Sequence, residues 1–508
     1  MQKFNNPIIE GFAPDPSVCA VGDDFYLVTS TFAYFPGVPI YHSKDLVNWK
    51  QIGNVLDRKE QLNLIGAAHS QGIFAPSIRY HDGTFYMITT NVTNGGNFLV
   101  KTDDPAGDWS DPYFIDNAPG IDPSLFFDED GRCYYVGTRE NPRGATYNGD
   151  WEVWLQELDL ETMSLVGVSA KLWKGALRDA IWPEGPHIYK KDGLYYLMIA
   201  EGGTGFNHAI TIARSQSIDG PYIGNKNNPI LTHRHLGNQY PIHNVGHGDL
   251  VEASSGEWFI TLLASRQFNG YDNLGRETFL ARVQWEDGWP VINPGEGRLM
   301  DSQEHGLPLV PVDTQEAFDL TKEDSAFVHL RNPNWDNYDR ESRKGWLRLY
   351  PSTVSIQEID TPTYIGLRQS TMDYTLSVEM DEALKEGEEA GLVVLQNDQY
   401  SIRLTVSYLD GVKTVRFVIL IDGEETVVGS KDITDSTIQL SLTGEGQTVS
   451  ASAVINGETL VIAENVDVHY LSTKVAGGFV GCTMGIYAVT DREDRGHADF
   501  TSLTLVKH

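Results

Sequence analysis

One short pattern recurs five times in the amino-terminal part of this chain. A turn is followed by two adjacent large residues, nearly all aromatic, and then by an apolar run. The copies are Gly-Asp-Asp-Phe25-Tyr26, Asp-Gly-Thr-Phe85-Tyr86, Asp-Gly-Arg-Cys133-Tyr134, Asp-Gly-Leu-Tyr195-Tyr196 and Ser-Gly-Glu-Trp258-Phe259. Their second members are spaced by 60, 48, 62 and 63 residues. A turn of this kind leading into an aromatic strand is a hairpin signal. A hairpin-based unit of about 50–60 residues, repeated, has the period of a propeller blade. A second, weaker repeat runs in step with it: short polar turns ending at Trp49, Trp109 and Tyr222 read as connections to outer strands. The expectation is an all-β chain whose first part, residues 1–312, is a five-bladed β-propeller.

The repeat stops near Pro308-Leu-Val-Pro-Val-Asp313. Beyond it, alternating stretches such as Tyr374-Thr-Leu-Ser-Val-Glu-Met, Tyr400-Ser-Ile-Arg-Leu-Thr-Val and Val415-Arg-Phe-Val-Ile-Leu-Ile predict half-buried antiparallel strands. Residues 313–508 are therefore expected to form a C-terminal β-sandwich of the concanavalin-like jelly-roll kind.

The repeat also has a phase. Twelve residues before the second large residue of each hairpin stand Pro14, Phe74, Asp122, Glu184 and His247, with Asp15 one place off in the first copy. In a propeller these positions open the innermost strands and face one axial funnel. Asp15, Phe74, Asp122, Glu184 and His247 are thus expected to converge. A single Asp-Pro-Ser is ordinary turn chemistry. Three acids at one phase need another account, because like charges in one pocket repel and raise each other's pKa. Glycoside hydrolysis uses such a set: a protonated acid for the leaving oxygen, an ionised carboxylate across the sugar, and a third to tune the acid.

Charge narrows the ligand. With 38 Lys+Arg against 70 Asp+Glu the chain carries a formal net charge of −32. That field repels nucleic acid and anionic membranes and is compatible with a neutral oligosaccharide. Three cysteines without a CxxC give neither a disulfide framework nor a zinc ribbon. No apolar leader stands at the start, and no stretch is long enough to span a bilayer, so a cytoplasmic location is expected. His233, His235 and His243 with His247 match no zinc-ligand spacing. Glycine-rich Ala200–Gly205 lacks the lysine of a phosphate loop and reads as a loop near the site.

Six ordered motifs carry a family resemblance. They are Asn6-Pro-Ile-Ile-Glu-Gly-Phe-Ala-Pro-Asp15-Pro-Ser, Thr31-Phe32-Ala-Tyr-Phe-Pro-Gly, Ile121-Asp122-Pro-Ser, Trp182-Pro-Glu184-Gly-Pro-His-Ile-Tyr, Asn244-Val-Gly-His247-Gly-Asp-Leu-Val-Glu and Leu274-Gly-Arg276-Glu-Thr-Phe. The chain resembles glycoside hydrolase family 43, in its β-xylosidase and α-L-arabinofuranosidase branch. The resemblance implies an inverting exo-glycosidase that releases terminal β-D-xylose from short xylo-oligosaccharides. α-L-Arabinofuranosidase or dual activity is the near alternative. It implies that Asp15 is the general base, Glu184 the general acid, and Asp122 the residue that orients Glu184 and raises its pKa. It further implies that Arg276 binds sugar hydroxyls, that Phe32 and Phe74 are apolar walls, and that His247 lies on the axis, in reach of substrate and, through water, of a central calcium ion. No cofactor is required for the chemistry. A homo-oligomer, dimer or tetramer, is in keeping with the family.

Two departures concern substrate fit. Gly72-Ile73-Phe74-Ala75-Pro76 has phenylalanine where xylosidases of the branch tend to have tryptophan. Thr483 is expected near the sandwich position that usually supplies a pocket-closing aromatic, with Phe479 as the compensating ring. Two rival readings remain distinct: a non-catalytic carbohydrate-binding propeller, and a retaining fructan hydrolase with its carboxyls about 5–5.5 Å apart rather than the roughly 6.5–9.5 Å of an inverting enzyme.

Overall fold

A computed structural model describes residues 2–177, 181–313, 315–434 and 436–508. The five hairpins found in sequence are the inner pairs of five four-stranded antiparallel sheets, each running outward in chain order. The first strands of these sheets are Ser17–Val21, Ser77–His81, Ile121–Phe127, Glu184–Lys191 and Ile242–Glu252. Each packs beside the next, and the fifth packs beside the first, so the sheets follow one another in a closed ring. Trp49, Trp109 and Tyr222 each precede the outermost strand of their sheet. Apolar clusters fill the spaces between neighbouring sheets. Ile78, Met87 and Val100 of the second sheet pack with Val28 and Ile40 of the first. Met198 and Ile212 of the fourth pack with Ile260 and Phe279 of the fifth. The chain ends tie the ring together, with Gln2–Asn5 pairing antiparallel with Ser302–His305.

The second part is two packed antiparallel sheets of nine and six strands. Tyr374–Ala383 alternates buried and open residues, as a strand with one core face must. Leu376, Val378 and Met380 meet Leu392, Val394 and Leu404 across the sandwich core. The six-stranded sheet does not follow the half-buried expectation. Glu388–Asn397 and Tyr400–Leu409 are buried along nearly their whole length. For Glu388–Asn397 the cause is a second covered face. Val393 and Leu395 turn away from the sandwich core and pack with Phe12, Phe32 and Tyr34 of the sheet ring. The antiparallel bridge of Tyr34–Phe35 with His329–Leu330 fastens the same seam. This seam brings a loop of the sandwich to the mouth of the ring.

Among the described residues no helix is long and apolar enough to cross a membrane. All three cysteines are buried free thiols.

Candidate active site

The innermost strands open onto a cavity of about 600 Å³. All seven residues singled out from sequence line it: Asp15, Phe32, Phe74, Asp122, Glu184, His247 and Arg276. Their side chains are aimed there by irregular backbone. Asp15, Asp122 and His247 have left-handed φ of 56°, 54° and 45°. Pairing slips between Ile121 and Ser124, between Glu184 and His187, and twice between His243 and Gly248, the second slip spanning His247. Such bulges re-aim a side chain out of the ladder, and left-handed non-glycine residues cost energy that the surrounding fold must cover. Gly185, at φ +55°, has no room for a side chain, since a Cβ there would fall 2.8 Å from the His247 ring.

The three carboxylates sit in different surroundings. Asp15 is buried. Its Oδ2 accepts from the Ser30 hydroxyl at 2.5 Å and its Oδ1 from Arg276 Nη1 at 3.1 Å, with His247 Nδ1 3.7 Å away. Burial alone would raise this carboxyl; Arg276, His247 and the Ser30 hydroxyl outweigh it and hold Asp15 below the ordinary aspartate range. Asp122 accepts from the Gly185 backbone N–H at 3.1 Å. Burial, with the Asp15 charge adding to it against His247, lifts Asp122 to about 6. Among the described residues Glu184 has no cationic hydrogen-bond partner, and its Oε1 has no hydrogen bond. Burial, then the charges of Asp122 and Asp15, push it well above the usual glutamate range. One carboxyl is therefore pushed towards its ionised form and another towards its protonated form in a single cavity.

Aromatic rings build the walls. Phe32 stacks on Phe12 and on Phe479, with Phe74 edge-on at 5.5 Å. The Arg276 guanidinium lies 5.8 Å from the Phe32 ring and 5.6 Å from that of Phe479. Phe479 belongs to the sandwich. Its N–H donates to Ser70 Oγ at 2.8 Å, and its carbonyl accepts from Arg276 Nη2 at 3.2 Å.

Thr483 does not reach the cavity. It is fully buried, with its hydroxyl against the Tyr34 hydroxyl at 3.1 Å and the Tyr364 hydroxyl at 2.7 Å. The sandwich residue at the pocket is Phe479. Phe479→Ala is expected to lower kcat/KM about 10²-fold, by letting water in and loosening the sugar. Thr483→Val leaves kcat unchanged and lowers stability by about 1–3 kcal/mol, because two buried tyrosine hydroxyls lose a partner. Steady-state rates and melting curves of the two variants separate these roles.

Other lining residues carried no repeat signal: Val92, Trp151 and Thr204. The protein oxygens around His247 do not by themselves supply the six to eight ligands of a calcium ion, so an ion there would take most of its ligands from water. Asp15 is committed to Arg276 and Ser30. Asp249 lies deeper on the same strand as His247, and it binds Arg79, Tyr189, Ser17 and the Val18 N–H. No group of three or more His, Cys, Asp or Glu that could hold a metal occurs among the described residues. His233 has a structural role, bonded to the Ile242 carbonyl and the Leu299 N–H.

Carboxyls pushed in opposite directions by their surroundings in one pocket belong to the chemistry of glycosidic bond hydrolysis. Comparison with known proteins agrees. A profile for glycosyl hydrolases family 43 matches residues 4–290, and one for the β-xylosidase C-terminal concanavalin A-like domain matches residues 315–505. The chain is similar to a xylosidase/arabinosidase of Butyrivibrio fibrisolvens, 49% identical over 99% of both chains. It is also similar to a non-reducing-end α-L-arabinofuranosidase of Bacteroides ovatus, 38% identical over 96% of this chain and 91% of the relative. The solved structure of a xylan β-1,4-xylosidase from Bacillus halodurans superposes with a TM-score of 0.93 at 33% identity, covering 99% of this chain and 100% of that one. The chain belongs to glycoside hydrolase family 43.

Proposed function

We propose that this hydrolase removes single pentose units from the non-reducing ends of short oligosaccharides, with inversion at the anomeric carbon. Terminal β-D-xylose is its principal substrate, and α-L-arabinofuranose is accepted in the same pocket. The contrast between Asp15 and Glu184 carries this reading. In the mechanism, Glu184 gives its proton to the glycosidic oxygen as the C1–O bond breaks. Asp15 takes a proton from water, which attacks C1 from the opposite face. Asp122 fixes the Gly185 N–H beside the acid, and its charge keeps Glu184 protonated. Arg276, whose Nε has no partner among the described residues, donates to sugar hydroxyls. His247 flanks the ring, and Phe32 and Phe74 pack against its apolar face.

Three further observations support the architecture behind this reading. The closed succession of five sheets supports a five-bladed propeller over residues 1–312. The sandwich of residues 313–508 closes one side of the pocket through Phe479, which suits a chain terminus better than the middle of a polymer. The B. fibrisolvens relative bears both activities in its name, which favours dual specificity.

Proton NMR of a β-D-xyloside during hydrolysis tests the stereochemistry. α-Xylose should appear first and mutarotate afterwards; β-xylose as the first product overturns inversion. Initial rates on aryl β-D-xylopyranoside and aryl α-L-arabinofuranoside test the sugar. Both should be cleaved, the xyloside faster. A strict arabinoside preference would make Phe74 the first suspect for switched specificity.

A further inference from the structure

His208 lies outside the repeat phase and outside every motif described above. It precedes the strand Ala209–Ser215, and its side chain is completely buried. Its Nδ1 lies 2.9 Å from the backbone carbonyl of Asn244, whose left-handed φ of 59° belongs to the irregular run that ends at His247. A carbonyl only accepts, so Nδ1 must carry the hydrogen. Burial drives the ring towards neutrality, to about 3, with His247 and Arg276 adding to the effect and Asp15 opposing it. Nε2 is then a bare lone pair. Among the described residues it has no hydrogen-bond partner, and it faces Glu184 Oε1, which has none either, across 3.8 Å. Two buried polar atoms without partners, one an acceptor and one on a group held protonated, are complementary. A small turn of the Glu184 side chain closes the gap, and such bonds are often long in a site without substrate. The slot for the ring is built in: a Cβ at Gly246 would fall 2.4 Å from His208 ring atoms.

We propose that His208 is a positioning residue for the acid: its Nε2, held as an acceptor by the Nδ1–H bond to the Asn244 carbonyl, takes a hydrogen bond from the Glu184 carboxyl and keeps that group protonated between turnovers. The proposal rests on the reading of Glu184 as proton donor. When a glycosidic oxygen enters, the carboxyl turns from Nε2 and delivers its proton there. The carboxylate left behind faces a lone pair, which favours reprotonation from solvent. The charged groups facing Glu184 are Asp122, Asp15 and Arg276; those facing His208 are His247, Arg276 and Asp15. The two acids favour the protonated form of Glu184 and Arg276 opposes it, so the His208 lone pair adds to an existing bias.

The test uses the pH dependence of kcat/KM on xylobiose, which needs the acid, and on a dinitrophenyl β-D-xyloside, which does not. In His208→Leu the basic limb on xylobiose should move about one pH unit lower, with dinitrophenyl rates within about twofold of the parent. His208→Gln, which can still accept, should restore the limb. An unmoved limb in an active His208→Leu, or an equal loss on both substrates, overturns the proposal. Neutron diffraction from the unmutated protein decides the matter without any variant. Deuterium is expected on Nδ1 and on the Glu184 carboxyl facing Nε2; deuterium on Nε2 overturns the proposal. If Glu184→Gln lost activity equally on both substrates, the acid reading would fall while the deuterium positions could still stand, so the two failures are distinguishable.

Discussion

Asp15→Ala is expected to lower kcat about 10⁴-fold on every glycoside, whatever its leaving group. The independence from leaving group follows from where Asp15 acts. It handles the attacking water, and water attacks in every turnover. Three contacts keep its carboxyl ready. Ser30 holds one oxygen, Arg276 holds the other, and His247 stands close by. Together they keep it ionised despite full burial. Protonating it would require acid well below neutrality, so the base stays competent on the acidic side of the pH profile. The substitution also strands the Arg276 guanidinium, itself only 6% exposed, without its counter-charge. Breaking a buried pair in this way costs several kcal/mol. Asp15→Asn therefore belongs in the same experiment, because the amide oxygen can still accept from Arg276 while the group can no longer take a proton. Both variants should be nearly inactive, with Asp15→Asn melting closer to the parent. Half of the parental activity in Asp15→Asn would remove this residue from the base role. Added azide should rescue Asp15→Ala in part, since the space left by the carboxylate admits a small nucleophile that needs no base.

The ring of sheets was legible because each inner hairpin has nearly the same length and opens with the same turn. A fixed count back from the aromatic pair therefore lands on the mouth of each inner strand. The offset at Asp15 shows the limit of that count. Asp122, Glu184 and His247 lie at or beside bulges, and Asp15 reaches the same cavity through a left-handed residue one place away. Periodicity finds such a position without showing how it is turned. Residues that line the cavity or back its carboxyls from elsewhere carried no phase. Ser30 follows the second strand of the first sheet, His208 precedes the third strand of the fourth, and Phe479 arrives from the other half of the chain. Thr483 and Phe479 were hard to order because the loop before Thr483–Thr490 has no period to count by. Burial on both faces of Glu388–Asn397 was hidden for a related reason. Alternation reports one covered face, and the second cover is supplied by Phe12, Phe32 and Tyr34, more than three hundred residues away.

Glu184→Ala should divide substrates by leaving group. On xylobiose, where the departing alkoxide must be protonated, kcat should fall about 10²–10⁴-fold, which is roughly 3–5 kcal/mol of barrier. On a dinitrophenyl glycoside, whose phenolate leaves unaided, the loss should be under about tenfold. The environment argues for this split. Among the described residues no cation hydrogen-bonds Glu184; burial and the charges of Asp122 and Asp15 disfavour its ionised form and outweigh Arg276, which favours it. The sign of the pH effect follows. Glu184 must hold its proton to act, so activity on xylobiose is lost as pH rises through its raised pKa. That basic limb should vanish in Glu184→Ala. Asp122→Asn removes the larger of the two charges that raise Glu184, so its basic limb should move to lower pH while dinitrophenyl rates change little. Asp122 itself is lifted to about 6, so its charge weakens as pH falls through that range, where falling pH itself favours the protonated acid. The acidic side of the profile is therefore expected to fall gently. Equal losses on both substrates in Glu184→Ala would show that the carboxyl with no hydrogen bond at Oε1 is not the proton donor, and Asp122 would then be the next carboxyl to test.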